Sequence, residues 1–238
     1  MDMILQYLQQ IMQGVFASGG DVAGSVANSV GGVVGKLDTT ALVALSAALG
    51  WAAGIRLYLV VFLTGLTGFM GFIPLPDGLK ILQNPALLTA SGFMVFVEFF
   101  ADKIPGLDSI WDVVHTVIRV PAGAALAGGV FGADSATMGT VAALIGGTLA
   151  ATSHAAKATT RAAVNTSPEP FSNIIVSFAE EGLVMFMLWL ATNHPLIFGI
   201  TLLIVLVLSV LLIVVLWKFL RAVVRKVSSF FSGSPQAA

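Results

Sequence analysis

The sequence predicts an all-α fold: a polytopic membrane helix bundle of about six transmembrane helices, an N-terminal amphipathic helix and a polar, charged core. Three observations carry that prediction. The 238 residues are 57% hydrophobic and 10% charged, with a mean hydropathy of +0.97, whereas a soluble domain is about half apolar and about a quarter charged. Six stretches come near or exceed the roughly 20 apolar residues that cross a hydrocarbon core. The few charges recur at three-, four- and seven-residue steps, the pattern of helices that keep one polar face.

Residues 1–38 precede the first span. Ile4, Leu5, Leu8, Ile11, Met12, Val15 and Phe16 form one helical stripe with Gln6, Gln9, Gln10 and Gln13 opposite. Such a helix lies at the membrane interface or against a partner. Glutamine in place of lysine gives little attraction to anionic lipid, which favours the partner. Residues 18–38, rich in Gly, Ser and Val, read as a connector. "MDMILQYLQQ" has neither a basic leader nor a small-residue cleavage site, so it is not read as a secretory signal.

A single transmembrane domain follows over 39–222, with spans predicted at 41–70, 86–102, 109–132, 137–162, 171–192 and 196–220. "IPLPDG" (73–78) is a turn, and Asn84-Pro85 supplies a cap and a first-turn proline for the second helix. "KIPG" (103–106) ends that helix, while Ser109 with Asp112 resembles a capping box for the third. Asp134-Ser135 starts the fourth, "NTSPEP" (165–170) precedes the fifth, and Asn193-His194-Pro195 turns into the sixth. Residues 223–238 form a short cytoplasmic tail.

Gly139, Ala143, Gly147 and Ala151 repeat at four-residue steps, which lets helices approach closely in lipid. Residues 196–217 hold no ionisable group and are expected to face lipid or another subunit. A homo-oligomer or a membrane-complex partner would dock there and on the N-terminal helix. Six spans put both termini on one side, with Lys36, Lys103, Arg161, Lys218, Arg221, Arg225 and Lys226; Lys80 stands alone on the other. The positive-inside rule then places both termini in the cytoplasm. The expected location is the inner (cytoplasmic) membrane of a bacterium.

Asp108, Asp112, His115 and Arg119 sit at i, i+4, i+7 and i+11, within a sector of about 60°. Glu98 and Asp102 share a face of the second helix, and Lys103 follows. His154, Lys157 and Arg161 share a face of the fourth, and Asn173, Ser177 and Glu180 one of the fifth. A charge at the bilayer centre costs at least ~2.5–3.5 kcal/mol, so these stripes must face one another or water. The expectation is a funnel-like polar core, open or nearly open to the cytoplasm, through which an ion or small charged solute passes. The turn before the fifth helix would present Asn165 to it.

Within that core Asp108, Asp112 and His115 are weak candidates for a divalent metal. A near-balance of acids and bases favours ion pairing, so no metal or other cofactor is assigned. Arg56 either binds an anionic group or neutralises Glu98 or Glu180; a break at Gly50 or Gly54 would favour the first, because exposed helix ends bind ions. His115 and His154 titrate near neutrality and can relay protons. Of the adjacent Glu180 and Glu181, only one can share the Asn173/Ser177 stripe. Glu180 is taken as the inward one and as the candidate coupling carboxylate.

"ALGWAAGIRLYLVVFLTGL" (48–66), "VEFFADKIPGLDSIWDVVHTVIRVPAGA" (97–124) and "HAAKATTRAAVNTSPEPFSNIIVS" (154–177) together resemble the bacterial membrane family of domain of unknown function 4126, over about residues 40–195. The resemblance implies an integral membrane protein and carries no chemistry.

Several classes are set aside. With no cysteine there is no disulfide, thiolate metal site or cysteine nucleophile. A net charge of −1 offers no field for nucleic acid. The nucleophile-elbow, zincin and Walker patterns are missing, so no enzyme is expected. What remains is a small transporter or channel, proton-coupled because its core is mixed in sign. The alternative is a non-transporting accessory subunit of a larger membrane complex.

Overall fold

The computed structural model describes residues 39–104, 106–132, 135–166 and 170–231. The expected N-terminal helix and connector over 1–38 lie outside them, as do Pro105, Asp134, Glu169 and the tail beyond Phe231. The helices are α1 (Thr39–Phe69), a 3₁₀ helix (Asp77–Gln83), α2 (Pro85–Ala101), α3 (Leu107–Gly129), α4 (Ala136–Val164), α5 (Pro170–Asn193) and α6 (Pro195–Phe231). Among the described residues there is no strand. Five helices, α1 and α3 to α6, are long and apolar enough to cross a membrane; the 3₁₀ helix and α2 qualify only as a pair bent by 70°. The chain is a multi-pass helical membrane protein.

Helix starts follow local chemistry. Asn84 Oδ1 accepts from the Ala86 N–H at 2.9 Å, with Pro85 in the first turn. Ser135 Oγ accepts from the Met138 N–H at 3.3 Å. The third helix departs from expectation. It begins at Leu107, behind Gly106, whose φ of 86° suits glycine. Asp108 Oδ1, rather than Ser109, gathers the free N–H groups, of Gly106 at 2.9 Å and Ser109 at 2.7 Å. α6 continues as helix to Phe231, past the predicted end at 220.

The largest correction concerns α1. Arg56, at φ −139° and ψ 72°, breaks it into two helical arms. A straight helix would hold Leu45 and Thr67 about 33 Å apart. Instead they line one cavity of about 280 Å³, together with Trp189 and Asn193 at the end of α5. On the first arm Ser46 Oγ donates to Ala127 O, near the end of α3, at 3.0 Å. On the second, Gly65 lies against the Leu82 backbone just before α2. Both arms therefore lead to the same end of the bundle, called here the upper end, and Arg56 is the tip of a V. Residues 41–70 are not one straight span. From the upper end α2, α4 and α6 descend, while α3 and α5 climb back to it.

The V is the centre of the bundle. Ala48, Leu49, Trp51, Ala52 and Ala53 on its first arm are buried. A Cβ on Gly50 would stand 2.5 Å from Gly146 Cα of α4; only glycine permits that approach. The predicted small stripe of α4 turns the other way: Gly139, Ala143 and Gly147 pack on Gly128 and Ala124 of α3, and Ala151 is exposed. The row facing α1 is Gly146, Ala150 and Ser153. α6 joins the core through Phe198 and Leu202 and exposes most of its other large apolar side chains.

Candidate functional site

A break in a helix frees backbone groups, which are tolerable at membrane depth only when protein satisfies them. α4 supplies the partners. Ser153 Oγ donates to Trp51 O at 2.6 Å, and Lys157 Nζ to Ile55 O at 3.2 Å. The tip of the V is thus stitched to α4 by polar side chains.

Arg56 then reaches into a buried network of ion pairs. Its Nη1 meets Asp102 Oδ2 at 2.5 Å; its Nη2 donates to Ser177 Oγ at 2.8 Å and lies 3.2 Å from Glu180 and 3.5 Å from Glu181. Lys157 Nζ stands 3.0 Å from Asp102 and 3.3 Å from Asp112. Arg161 Nη2 binds Glu180 at 2.8 Å, and its Nη1 donates to Asp102 O at 2.8 Å. Arg119 bridges Glu98 and Asp112, each at 2.6 Å. All four basic side chains are at most 2% exposed. Five helices, α1 to α5, each contribute, and the stripes predicted for α2 to α5 do face one another.

Expectations for individual residues fare differently. Arg56 pairs with Asp102 and Glu180, while Glu98 belongs to Arg119. Glu180 points inward, as expected, yet Glu181 also approaches Arg56. Asp108, Asp112 and His115 are not gathered: Asp112 is held by Arg119 and Lys157, and Asp108 by Asn165. Among the described residues no group of three or more His, Asp or Glu is placed to hold a metal.

The bonding fixes the roles of the ring nitrogens of His154. Arg119 Nη1 can only donate, so His154 Nδ1, at 3.2 Å, accepts. Thr116 gives its own proton to Asp112 O, leaving its oxygen to accept from His154 Nε2 at 2.7 Å. His115 Nδ1 donates to Trp111 O at 2.8 Å, and its Nε2 shares a hydrogen bond with the Tyr58 hydroxyl at 3.0 Å.

The expected opening toward the lower end is closed. Asn165 Nδ2 donates to Asp108 Oδ1 at 2.8 Å and to Ser109 Oγ at 2.9 Å; Asn173 Nδ2 donates to Asn165 Oδ1 at 2.7 Å; Arg161 Nη1 donates to Asn173 O at 3.3 Å. This chain ties the lower ends of α3, α4 and α5 together beneath the charges, and Asp108 and Arg161 are fully buried. Neutral amides can bridge helix ends in this way because each offers a donor and an acceptor.

At the side, Lys103 Nζ sits 2.9 Å from the centre of the Phe99 ring and 4.7 Å from that of Phe178. Burial pushes its ammonium below the usual lysine value, with Glu181 the main opposing influence. A cleft of about 120 Å³ reaches the network beside the break, lined by Arg56, Glu98 and Glu181 with Leu59, Val95 and Met185. Arg56 Nε, Asp102 Oδ1, Asp112 Oδ2 and Arg119 Nε are buried without a hydrogen-bond partner among the described residues.

Sequence reasoning missed Tyr58, Thr116, Ser153 and Glu181 as members of the site. Thr116 and Ser153 each stand one residue from a polar stripe, and Tyr58 follows a break that periodicity cannot signal. The arrangement holds and exchanges charge.

The family model of a domain of unknown function, DUF4126, matches residues 43–218, and the chain belongs to that family. The match takes in most of α6, beyond the reach of the resemblance noted above. No curated protein and no solved structure matches this chain.

Proposed function

We propose that the protein is a small transporter for an ion or small charged solute, coupled to uptake and release of protons, and not an enzyme. One observation carries this reading: the central helix breaks at Arg56, in the middle of a charge network drawn from five helices. Buried ion pairs are weak stabilisers, and well-packed apolar residues of similar volume would often hold a fold as well. A network that converges on a break, with half-helix ends facing it, has the form of a midplane binding site. The amide chain from Asp108 to Arg161 acts as the lower gate, and the conformer described is occluded.

The lower end carries Lys103, Arg161, Lys218, Arg221, Arg225 and Lys226, and Lys80 lies at the upper end. We place the lower end in the cytoplasm, with the inner membrane of a bacterium as the location. Because both ends of α1, Thr39 and Phe69, lie at the upper end, the even number of crossings expected from the sequence does not follow among the described residues.

The test uses proteoliposomes loaded with a pH-sensitive dye, under imposed proton, sodium and potassium gradients. Wild-type protein is expected to dissipate at least one gradient faster than protein-free vesicles, and Arg56→Met to abolish the difference. Rates equal to empty vesicles under every gradient would sink the transport reading. The near-complete pairing of the core supports a second reading, an accessory subunit docking through residues 196–217. Stoichiometric co-purification of another membrane protein, with no transport, would favour it.

A further inference from the structure

The interior does not balance. Among the described residues five basic side chains, Arg56, Lys103, Arg119, Lys157 and Arg161, meet six carboxylates, Glu98, Asp102, Asp108, Asp112, Glu180 and Glu181. His154, whose Nδ1 accepts from Arg119, adds no charge to this count. One negative charge is left over, and a surplus charge in a low-dielectric interior attracts a compensating one.

The bonding shows where the surplus lies. Asp102 has Arg56 and Lys157; Glu180 has Arg161 and Arg56; Asp112 has Arg119 and Lys157. Asp108 is saturated by neutral donors, two backbone N–H groups and the Asn165 amide. Glu98 has a single bond, through Oε1, to an arginine it shares with Asp112. Glu181 has its nearest basic atom 3.5 Å away. Asp108 meets no basic side chain but is closed off by its neutral donors, whereas Glu98 and Glu181 line the same cleft of about 120 Å³, and Glu98 is 1% exposed. Arg56 Nε, on the wall of that cleft, is an unpartnered buried donor available to the water that accompanies an ion. The space exceeds the ~10–15 Å³ that one water needs.

We propose that this cleft takes up one positive charge between Glu98 and Glu181, as a small monovalent cation or as a proton. Glu98 thereby replaces Glu180, which two arginines hold, as the coupling carboxylate. The inference rests on the transport reading for its purpose, but the binding is an equilibrium property and stands or falls by itself.

The experiment follows the thermal unfolding midpoint of the full chain in lipid nanodiscs. Lithium, sodium and potassium chloride are titrated at pH 8 against N-methylglucamine chloride at equal ionic strength, and the pH is then lowered to 5. If a cation binds, one of the three small ions raises the midpoint by about 5 °C or more at a hundredfold excess over its Kd, whereas the bulky control does not. If a proton binds, all four salts behave alike and the midpoint rises as the pH falls. Glu98→Gln loses whichever response the wild type gives, and Glu181→Gln, on a partly exposed residue, reduces it several-fold. Responses of Glu98→Gln and Glu181→Gln equal to wild type overturn the proposal. Should Glu98→Gln fail to fold, Glu181→Gln decides alone. Loss of transport with cation or proton binding intact would count against the transport reading only.

Discussion

The upper and lower halves of this bundle are held together by opposite means. In the upper half α1, α3 and α4 meet backbone to backbone, with Gly50 against Gly146 and Gly123 against the Gly50 carbonyl. In the lower half the same helices stand on long side chains that meet as ion pairs around Arg56. Lipid tails are as apolar as leucine, so neither half gains from hydrophobic association as a soluble core does. Close contact and charge pairing are two substitutes for it. Close contact leaves no room for alternatives and no chemistry. Charge pairing is costly to bury, yet each side chain can exchange partners. The difference separates a fixed frame from a core able to rearrange.

The largest effect expected is in the lower half. Asp102→Ala leaves Arg56 and Lys157 facing each other without their shared carboxylate and should cost about 3–5 kcal/mol, read from denaturant unfolding in micelles. Gly50→Ala tests the upper half, where the new Cβ meets the Gly146 backbone; about 3 kcal/mol is expected, without change in the salt dependence of unfolding. A larger loss for Gly50→Ala than for Asp102→Ala would reverse the ranking of the two halves. Asn165→Ala removes the amide from Asp108 and should cost about 2 kcal/mol. Hydrogen exchange should then quicken at the start of α3 while the Gly50–Gly146 contact stays protected. If exchange rises equally in both halves, the frame and the core are not separable. Lys80→Ala breaks an exposed pair with Asp77, 2.5 Å apart, and should change stability by less than about 0.5 kcal/mol.

Much of the lower half was legible in the sequence because its residues obey helical spacing. Asp112 and Arg119, seven apart, do bond directly, and Asn173, Ser177 and Glu180 do share one inward face. Spacing assigns a face but not a partner: of the two carboxylates considered for Arg56, Glu180 does pair with it, Glu98 goes to Arg119, and Asp102 was not foreseen. The V escaped for a different reason. A run as apolar as 41–70 satisfies every length criterion for a span, and hydropathy does not record a single pair of dihedral angles. The break lies at Arg56, two residues beyond Gly54. That glycine serves close packing on Ala150 and Ser153 and marks no hinge. The lower gate was hidden as well, since Asn165 and Asp108 lie 57 residues apart and amides leave no charge pattern.

The shape of α1 also bears on how the protein is made. As the first long apolar segment of the described chain it meets the insertion machinery early, with a hydropathy that asks for a full crossing. Its tip, however, is an arginine whose partners are synthesised later: Asp102 just after α2, and Ser177, Glu180 and Glu181 on α5, Ser177 being 121 residues further on. Until α5 has been translated, Arg56 has no buried seat, and an arginine alone at that depth is expensive. The seat of Arg56 is therefore complete only when α5 has joined Asp102, and a chain ending after α4 is expected to leave the tip of the V without its Ser177 and Glu180 partners.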